Sequence, residues 1–247
     1  MKHAILADIH SNLSALEAVL ADIKTRGGTD DIWCLGDIVG YGPDPHRCIE
    51  VLTAYHLICI AGNHDRAAIG KLNTSDFNPE AAEAVRWTSL QLKSEDILFL
   101  GELPLVIENG EFTLAHGSPR EPVWEYVLSS DDAEQNLGYF KTPYCFIGHS
   151  HIPMVFEFNS PRSGTKLTFD SDNFGDAIKL ADARLIINPG SVGQPRDQDP
   201  RAGYAIYDSD ARTVRLFRVE YDIAATQMRM RQAGLPSRLI SRLSSGI

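Results

Sequence analysis

Cysteine is scarce in this sequence, and its four cysteines form no closely spaced pair. Three of them lie inside apolar runs, where a thiol behaves as a small hydrophobic side chain. This spacing argues against a disulfide framework. We therefore expect reduced core residues at Cys34, Cys48, Cys59 and Cys145.

Long apolar runs are also absent. The first residues, Met1-Lys2-His3-Ala4, do not begin an apolar stretch of signal-peptide type, and no run elsewhere has the length that a bilayer span requires. We expect a cytoplasmic protein with no membrane contact.

Basic residues are in deficit, with 23 Lys and Arg against 33 Asp and Glu and a formal net charge of −10 at pH 7. Such a charge repels a nucleic-acid backbone unless a local basic patch or a bound metal intervenes. We expect no nucleic-acid partner, and the lack of a Lys/Arg-rich stripe also counts against a nuclease.

Short apolar runs alternate with amphipathic segments in the first part of the chain. Apolar residues recur at helical spacing from Leu13 to Ile23, and Ser11 or Asn12 can cap this helix. Strands that alternate with helices are typical of a largely parallel sheet with covered faces. The pattern predicts strands over 4–7, 32–35 and 57–60, with helices over 13–23, 44–55 and 79–92.

The pattern changes after residue 92, where apolar runs follow one another without regular helices between them. We expect a second sheet here, then a strand pair and two short helices separated near Gly234. The polar segment 160–175 is interpreted as a surface excursion, because no low-complexity linker divides the chain. The prediction is one domain over 1–247, with a C-terminal helical extension at about 222–247. The predicted later strands are 104–108, 111–115, 144–147, 154–158, 184–187, 203–207 and 214–219.

Five polar clusters stand at the ends of the apolar strands. Ligands of helix-covered sheets bind outside the carboxyl ends of the strands, so we expect these clusters to converge. Their mixture of imidazoles and hard oxygens suits Mn, Fe, Co, Ni or Zn better than calcium or magnesium. Asp8 and His10 are two apart, as are His149 and His151, so in extended chain each pair can point to one side. The clusters are Asp8-Ile9-His10, Gly36-Asp37, Gly62-Asn63-His64-Asp65, His116-Gly117 and Gly148-His149-Ser150-His151.

These clusters, in this order and each after a strand, resemble the calcineurin-like metallophosphoesterase superfamily, and Asn188-Pro189-Gly190-Ser191 resembles a further segment of it. The resemblance implies an α/β fold, a four-layer sandwich of two mixed β-sheets flanked by helices. It implies two divalent transition-metal ions (Mn, Fe, Zn, Ni or Co), with His64 free for catalysis. One metal would take Asp8, His10 and His151, the second Asn63, His116 and His149, and Asp37 would bridge them.

The second motif separates this chain from some of the family. Protein phosphatases and symmetrical dinucleotide tetraphosphatases usually continue this motif with an Arg, and the phosphatases also place an Asp there to support the catalytic His. This chain has Gly36-Asp37-Ile38-Val39-Gly40-Tyr41-Gly42 instead. It looks closer to the compact prokaryotic branch, whose members often hydrolyse phosphodiesters.

The resulting hypothesis is a phosphodiesterase that acts on a small-molecule phosphate ester through a metal-activated hydroxide. His64 would protonate or hydrogen-bond the departing oxygen, with Asp65 as a partner that orients it. The alternatives are a phosphomonoesterase or nucleotide pyrophosphohydrolase with the same metals, and a non-catalytic scaffold of the same fold. Retention of all seven ligand positions and of His64 argues against the scaffold.

Other polar and aromatic residues admit two interpretations. Arg196 can clamp a phosphate or pair with Asp197 or Asp199, and for Arg201 the surface ion pair is favoured. The 188–191 segment is either a turn or part of the site. The aromatic residues that follow His116 either cover a leaving group or pack a small satellite core, and packing is favoured. The histidines outside the clusters receive no role. These are Trp124, Tyr126 and Tyr139, and His3, His46 and His56.

Overall fold

Two six-stranded mixed β-sheets form the centre of the molecule. The structure, a computed structural model, describes residues 1–158, 164–169 and 173–247. The first sheet has the strand order β3-β2-β1-β11-β12-β9, and the second has β4-β5-β6-β10-β7-β8. The strands are β1 (Lys2–Leu6), β2 (Asp31–Cys34), β3 (Leu57–Cys59), β4 (Val106–Asn109), β5 (Phe112–Ala115), β6 (Tyr144–Phe146), β7 (Met154–Phe158), β8 (Thr165–Leu167), β9 (Ile178–Lys179), β10 (Arg184–Asn188), β11 (Ala202–Asp208) and β12 (Thr213–Val219).

Eight helices are present in the described part of the chain. The Asn12 side chain caps the first of them by accepting a hydrogen bond from the backbone N–H of Ala15 at 3.2 Å. Pro79 begins the fourth helix, where its missing N–H has no cost. The helices are α1 (Leu13–Thr25), α2 (Pro45–Thr53), α3 (Asn63–Ala68), α4 (Pro79–Gln91), α5 (Ser94–Glu102), α6 (Ser130–Asn136), α7 (Ile223–Gln232) and α8 (Ser237–Arg242).

The alternation of side chains along the strands builds the layers. In β1, Ile5 faces the apolar core between the two sheets, whereas Ala4 and Leu6 face the core under α1 and α2. On the outer face of the second sheet, Cys145 and Phe156 pack with residues of the α6 region. The molecule is therefore the four-layer sandwich that the resemblance implies, and that prediction is confirmed.

Most of the predicted elements are confirmed, but the prediction of no regular helices between the later strands is wrong. α6 lies between β5 and β6, and it was missed because Ala133 is its only buried apolar residue, so it carries no helical periodicity. α5 was also missed. The interpretation of 160–175 falls partly outside the described residues, but within the described part Thr165–Leu167 forms β8 at the sheet edge.

The parallel strands at the start of the chain have their carboxyl ends on one edge. β1 pairs in parallel with β2, and β2 pairs in parallel with β3. In the second sheet β5 and β6 are also parallel. The four cysteines are free and buried, as expected. Among the described residues, none of the helices has the length and apolar character needed to cross a membrane.

The two C-terminal helices lie within the extension predicted at about 222–247. Their buried apolar residues, including Met230 and Leu239, pack against Ala81 and Ala84 of α4 and against Tyr41. This packing brings the end of the described chain beside the loop that follows Asp37.

Candidate metal centre

All the candidate ligands lie at strand ends and are buried. Asp8 follows β1, Asp37 follows β2, and Asn63 begins α3 just after β3. His116 follows β5, and the loop after β6 carries the last two histidines. Each ligand and His64 is at most 4% exposed, so their polar atoms are withdrawn from water and need partners within the site. The set is Asp8, His10, Asp37, Asn63, His64, His116, His149 and His151.

The first cluster joins Asp8, His10 and His151. His151 Nε2 lies 3.4 Å from Asp8 Oδ1, and His10 Nε2 lies 3.9 Å from the same oxygen. The two Nε2 atoms are 3.2 Å apart. Three possible ligand atoms therefore surround one small volume.

The second cluster joins Asp37, His116 and His149, and Asn63 is adjacent to it. His116 Nε2 lies 3.4 Å from Asp37 Oδ2 and 3.1 Å from Asn63 Oδ1. Asp37 Oδ2 is also 3.6 Å from His10 Nε2, which belongs to the first cluster. The Asp37 carboxylate thus lies between the two clusters.

The hydrogen bonds of the imidazoles indicate which nitrogen is free. The Nδ1 atoms of His10, His151 and His116 face the backbone carbonyls of Val39, Gln194 and Leu35 at 3.2, 2.6 and 2.8 Å. A carbonyl only accepts, so each Nδ1 carries a proton, and the neutral rings of His10 and His151 present a lone pair at Nε2. This is the arrangement in which a histidine binds a metal.

Several atoms of the site lack a partner that a cation would provide. The lone pairs of His10 Nε2 and His151 Nε2 face each other, which is repulsive unless a positive charge lies between them. Among the described residues, Asp37 Oδ2 and His149 Nε2 are buried without a hydrogen-bond partner. The donor set of imidazole nitrogens and hard oxygens fits divalent transition-metal ions.

The pKa values agree with this interpretation. Burial lowers the pKa of His149 to about 3 and of His64 to about 4, and it lowers the pKa of His10 and His151 well below the usual value. These rings are therefore neutral at pH 7 and keep a free lone pair. His116 differs: burial would lower its pKa, but the Asp37 carboxylate outweighs burial and raises that pKa to about 10. Without a metal this ring is therefore protonated at pH 7, and a bound metal would take the place of its Nε2 proton.

The backbone is unusual at most of the candidate ligands. Asp8, His10, Asp37, His149 and His151 have φ between 49° and 64°, in the left-handed region that non-glycine residues rarely adopt. Such conformations persist where the surroundings enforce them, and they cluster at functional sites. The expectation of extended chain through the two-apart pairs is therefore wrong. His149 and His151 in fact belong to different clusters.

Asp65 holds the loops that carry the ligands. Its carboxylate accepts hydrogen bonds from the backbone N–H groups of Asp37 (2.8 Å), Val39 (3.1 Å) and Gly62 (3.0 Å). The hypothesis that Asp65 orients the His64 ring is wrong, because both of its oxygens are used in this way.

The 188–191 segment supports the other ligand loops. Asn188 donates to the carbonyl of Gly148 at 2.7 Å, and Ser191 Oγ donates to the carbonyl of Asp8 at 2.8 Å. These contacts connect β10 to the loops of Asp8 and His149. The segment is therefore more than a turn, since its side chains hold two ligand-bearing loops in place.

His64, on α3, forms a third group of possible metal-ligand atoms with His10 and Asp37. Its ring packs 4.3 Å from the Tyr41 ring and edge-on to His10 and Phe77 at 4.9 Å each. Its Nδ1 is buried without a hydrogen-bond partner among the described residues, which agrees with the absence of the supporting Asp in the second motif. Gly40 has φ +95°, and a Cβ there would lie 2.5 Å from His64 Nδ1. A glycine is thus required beside this ring.

A cavity of about 180 Å³ opens over the clusters. Tyr126 stacks on the His149 ring at 4.1 Å, and Trp124 packs edge-on to Phe77 at 5.1 Å. These two aromatics therefore pack against their neighbours, as interpreted, and they also line the cavity. Tyr139 is 59% exposed. The cavity is lined by Asp37, Tyr41, Asn63, His64, Asp76, Phe77, Asn78, Ala81, Trp124, Tyr126, His149, His151 and Arg196.

Arg196 and Arg201 have different partners, and each matches one of the interpretations given for the arginines. Arg196 donates to Gln194 Oε1 at 3.0 Å and to the Tyr41 hydroxyl at 3.4 Å, and it pairs with neither Asp197 nor Asp199. Its guanidinium lines the cavity. Arg201 instead forms the expected exposed ion pair with Asp199 at 2.6 Å.

The histidines that received no role lie beside aspartates outside the metal clusters. His3 and His56 lie 2.6 and 3.9 Å from Asp31, and His46 lies 3.0 Å from Asp96. None of the three joins a metal-binding cluster among the described residues.

Two packed mixed sheets, with buried Asp, Asn and His side chains converging at the strand ends, define a metal-dependent phosphoesterase fold. The model of the calcineurin-like phosphoesterase superfamily domain matches residues 1–212, and the chain belongs to this family. It is accordingly a phosphoester hydrolase of a metal-dependent family.

Three similar proteins place the chain within the family. An uncharacterized protein of Methanocaldococcus jannaschii is 40% identical over 248 residues, which cover 98% of this chain and 97% of that protein. The crystal structure of a metallophosphoesterase from Sphaerobacter thermophilus has 47% identity and a TM-score of 0.90, and covers 100% of this chain and 99% of its own. A symmetrical bis(5′-nucleosyl)-tetraphosphatase of Pectobacterium atrosepticum is 27% identical over 150 residues, 53% of this chain and 52% of that protein.

Proposed function

We propose that this chain is a phosphodiesterase that acts on a small-molecule phosphate ester with two divalent transition-metal ions. The observation that carries this proposal is the position of Asp37, whose free Oδ2 lies between His10 of one cluster and His116 of the other. A carboxylate shared by two imidazole clusters is suited to bridging two metals. The ligands proposed are Asp8, His10, Asp37, Asn63, His116, His149 and His151.

The cavity supports the class of substrate. Its volume of about 180 Å³ accommodates a phosphoryl group with part of a small ester, and its aromatic walls exclude water from the reacting atoms. An acidic chain with so small a cleft is a poor match for a nucleic-acid strand.

Different side chains serve different roles in the proposed hydrolysis. When bound, divalent metals supply Lewis-acid stabilisation of the phosphoryl oxygens and lower the pKa of the attacking water. His64, at the cavity wall, donates a hydrogen bond or proton to the departing oxygen. Arg196 offers guanidinium N–H donors to a phosphoryl oxygen, in place of the Arg that the second motif lacks.

A phosphomonoesterase or nucleotide pyrophosphohydrolase with the same metals is the second candidate. The similarity to a symmetrical bis(5′-nucleosyl)-tetraphosphatase favours it, although that similarity spans only 53% of this chain. The diester and the monoester differ in the charge of the substrate, so direct comparison of the two activities distinguishes the candidates.

The first experiment measures metal content and hydrolysis in one preparation. The protein is stripped of metal, reloaded separately with Mn, Fe, Co, Ni, Zn and Mg, and assayed with bis(4-nitrophenyl) phosphate and 4-nitrophenyl phosphate. The proposal expects about two metals per chain and diester cleavage restored by metal. Preferred monoester cleavage would support the second candidate, and absence of both metal and activity would favour a non-catalytic scaffold.

Variants then separate metal binding from catalysis. Asp37→Asn is expected to lose metal and activity together. His64→Ala is expected to keep its metals and lose about 10²–10⁴-fold in turnover of an ester with a poor leaving group, and less with nitrophenyl esters. His46→Ala, at a histidine outside the clusters, is the matched control and should resemble the parent. Full turnover in His64→Ala would remove its role as the acid.

A further inference from the structure

A second cavity of about 460 Å³ adjoins the metal cleft. Tyr41, Asn78, Tyr126 and Arg196 line both cavities, so the second is the direct continuation of the first. Its opposite wall is the C-terminal segment. That wall consists of Arg238, Leu239, Ser241, Arg242, Ser245 and Ile247, and Glu80 completes the lining.

Three guanidinium groups face this cavity in a chain whose formal net charge is −10. Within the described ranges, neither Arg196 nor Arg242 has an Asp or Glu side chain within 4.0 Å, in contrast to Arg201, Arg212 and Arg218. Arg238 Nη1 lies 3.8 Å from Glu80 Oε1, a long ion pair, and the Arg238 side chain is 81% exposed. Three guanidinium groups thus share this lining with one acidic side chain, Glu80.

The guanidiniums also repel one another. Burial, followed by the charge of Arg196, lowers the pKa of Arg242 to about 10. Arg242 Nε donates to the backbone oxygen of Ile247, but in the part of the chain that the structure describes its terminal nitrogens have no hydrogen-bond partner. A structural role for Arg242 therefore uses only one of its donors.

We propose that this cavity binds a second phosphate of the substrate, so that the natural substrates are phosphate esters whose leaving group carries a further phosphate. The proposal rests on the proposed function, because it assumes that the ester being cleaved lies at the metal cleft. Guanidinium groups match the geometry of phosphate oxygens and bind them through paired hydrogen bonds.

The position of the arginines supports a substrate subsite over a general anion patch. Arg196 lines both cavities, so it lies between the cleaved ester and the second phosphate. α8 is anchored by buried Leu239 and Ile240, which sets Arg238 and Arg242 in place before a ligand arrives. Between them, a cavity of about 460 Å³ has room for the body of the substrate.

The test compares two inhibitors that differ by one phosphate, adenosine 5′-phosphate and adenosine 3′,5′-bisphosphate. Their inhibition of bis(4-nitrophenyl) phosphate hydrolysis and their calorimetric binding to the metal-loaded protein are measured, with inorganic phosphate alongside. We expect the bisphosphate to bind about 10-fold more tightly, the effect of one added charged contact.

The variants locate this preference. Arg242→Gln and Arg238→Gln should each reduce the preference for the bisphosphate severalfold, and Arg242→Lys should keep part of it. Arg231→Gln is the matched control, because Arg231 is exposed on α7 and does not line the cavity. Since Arg238 is largely exposed, Arg238→Gln also tests the proposal in a variant that should fold normally.

Three outcomes would overturn the proposal: equal binding of the two inhibitors by the parent, an unchanged preference in both glutamine variants, or an equal loss of inorganic phosphate binding. The last would mean that the arginines bind the cleaved or a free phosphate. Lack of any diester hydrolysis would contradict the proposed function alone, because calorimetry still measures the preference.

Discussion

Replacing Asp65 by Asn tests whether one buried carboxylate fixes the ligand loops. The carboxylate is fully buried, and its oxygens accept from the N–H groups of Asp37, Val39 and Gly62. Asn is nearly the same size, but it has one acceptor oxygen and a donor NH₂. Even if the amide oxygen still accepts hydrogen bonds from the N–H groups of Asp37 and Gly62, the NH₂ group then faces the Val39 N–H. Both of these groups are donors, so no hydrogen bond forms between them.

The cost follows from the bonds lost. A hydrogen bond to a charged group contributes about 1.5–3 kcal/mol, and a buried N–H without a partner costs about 1–3 kcal/mol. The expected loss for Asp65→Asn is therefore about 3–5 kcal/mol in the free energy of unfolding. For a chain of this size, that lowers the thermal midpoint by roughly 6–20 °C.

The assay is thermal unfolding of the metal-free protein at pH 8, followed by metal titration. Burial raises the pKa of Asp65 to about 7, and pH 8 keeps the parent carboxylate ionised. Asp96→Asn is the matched control, since Asp96 is a buried capping aspartate that binds the Lys93 N–H and His46 instead. Both variants should lose stability, but only Asp65→Asn should also lose metal affinity.

A thermal midpoint of Asp65→Asn within about 2 °C of the parent would refute this reasoning. An equal effect of both variants on metal affinity would refute the specific link to the ligand loops. Either result would mean that the backbone N–H groups of these loops find other acceptors.

Two further predictions concern the centre itself. Chelation should lower the thermal midpoint by roughly 11–22 °C relative to protein with metal at 100 times its Kd, because binding contributes about 2.7 kcal/mol per site and the proposed centre has two sites. Scanning calorimetry before and after metal is restored checks this, and an unchanged midpoint would contradict specific binding. Gly40→Ala should displace the His64 ring and lower kcat while metal content persists. Gly28→Ala should lose stability alone, because Gly28 has φ +79° and a Cβ added there would meet no atom of another described residue within 4 Å. Steady-state kinetics with metal analysis distinguishes them, and equal kcat in both variants would contradict the steric argument.

The strands and longer helices could be predicted because their side chains repeat with a period that burial imposes. α1 carries buried Leu16, Val19 and Ile23 on one face, so its pattern stands out from the sequence. α6 lacks such a face, and only its Ser129–Asp132 capping box signals its start. Short helices that bury few apolar side chains therefore cannot be predicted from hydrophobic periodicity.

The candidate ligands could be located for a similar reason. Each follows an apolar strand, and the carboxyl ends of parallel strands meet at one edge. The distribution of His149 and His151 between two clusters could not be read from their spacing, because it depends on left-handed backbone at both residues. Nor could the arginine-lined cavity, since Arg196 and Arg242 come together only through the packing of α8.

The atoms that prepare the imidazoles for metal explain why ligand residues alone do not guarantee a working centre. The carbonyls of Val39, Gln194 and Leu35 accept hydrogen bonds from Nδ1 of His10, His151 and His116 and so orient these rings. Every residue type has a backbone carbonyl. Their positions are set by backbone conformation, which leaves little trace in side-chain identity. A relative can therefore keep every ligand and lose the orientation of the rings. The substitutions most informative about such a loss are those at positions that constrain these loops.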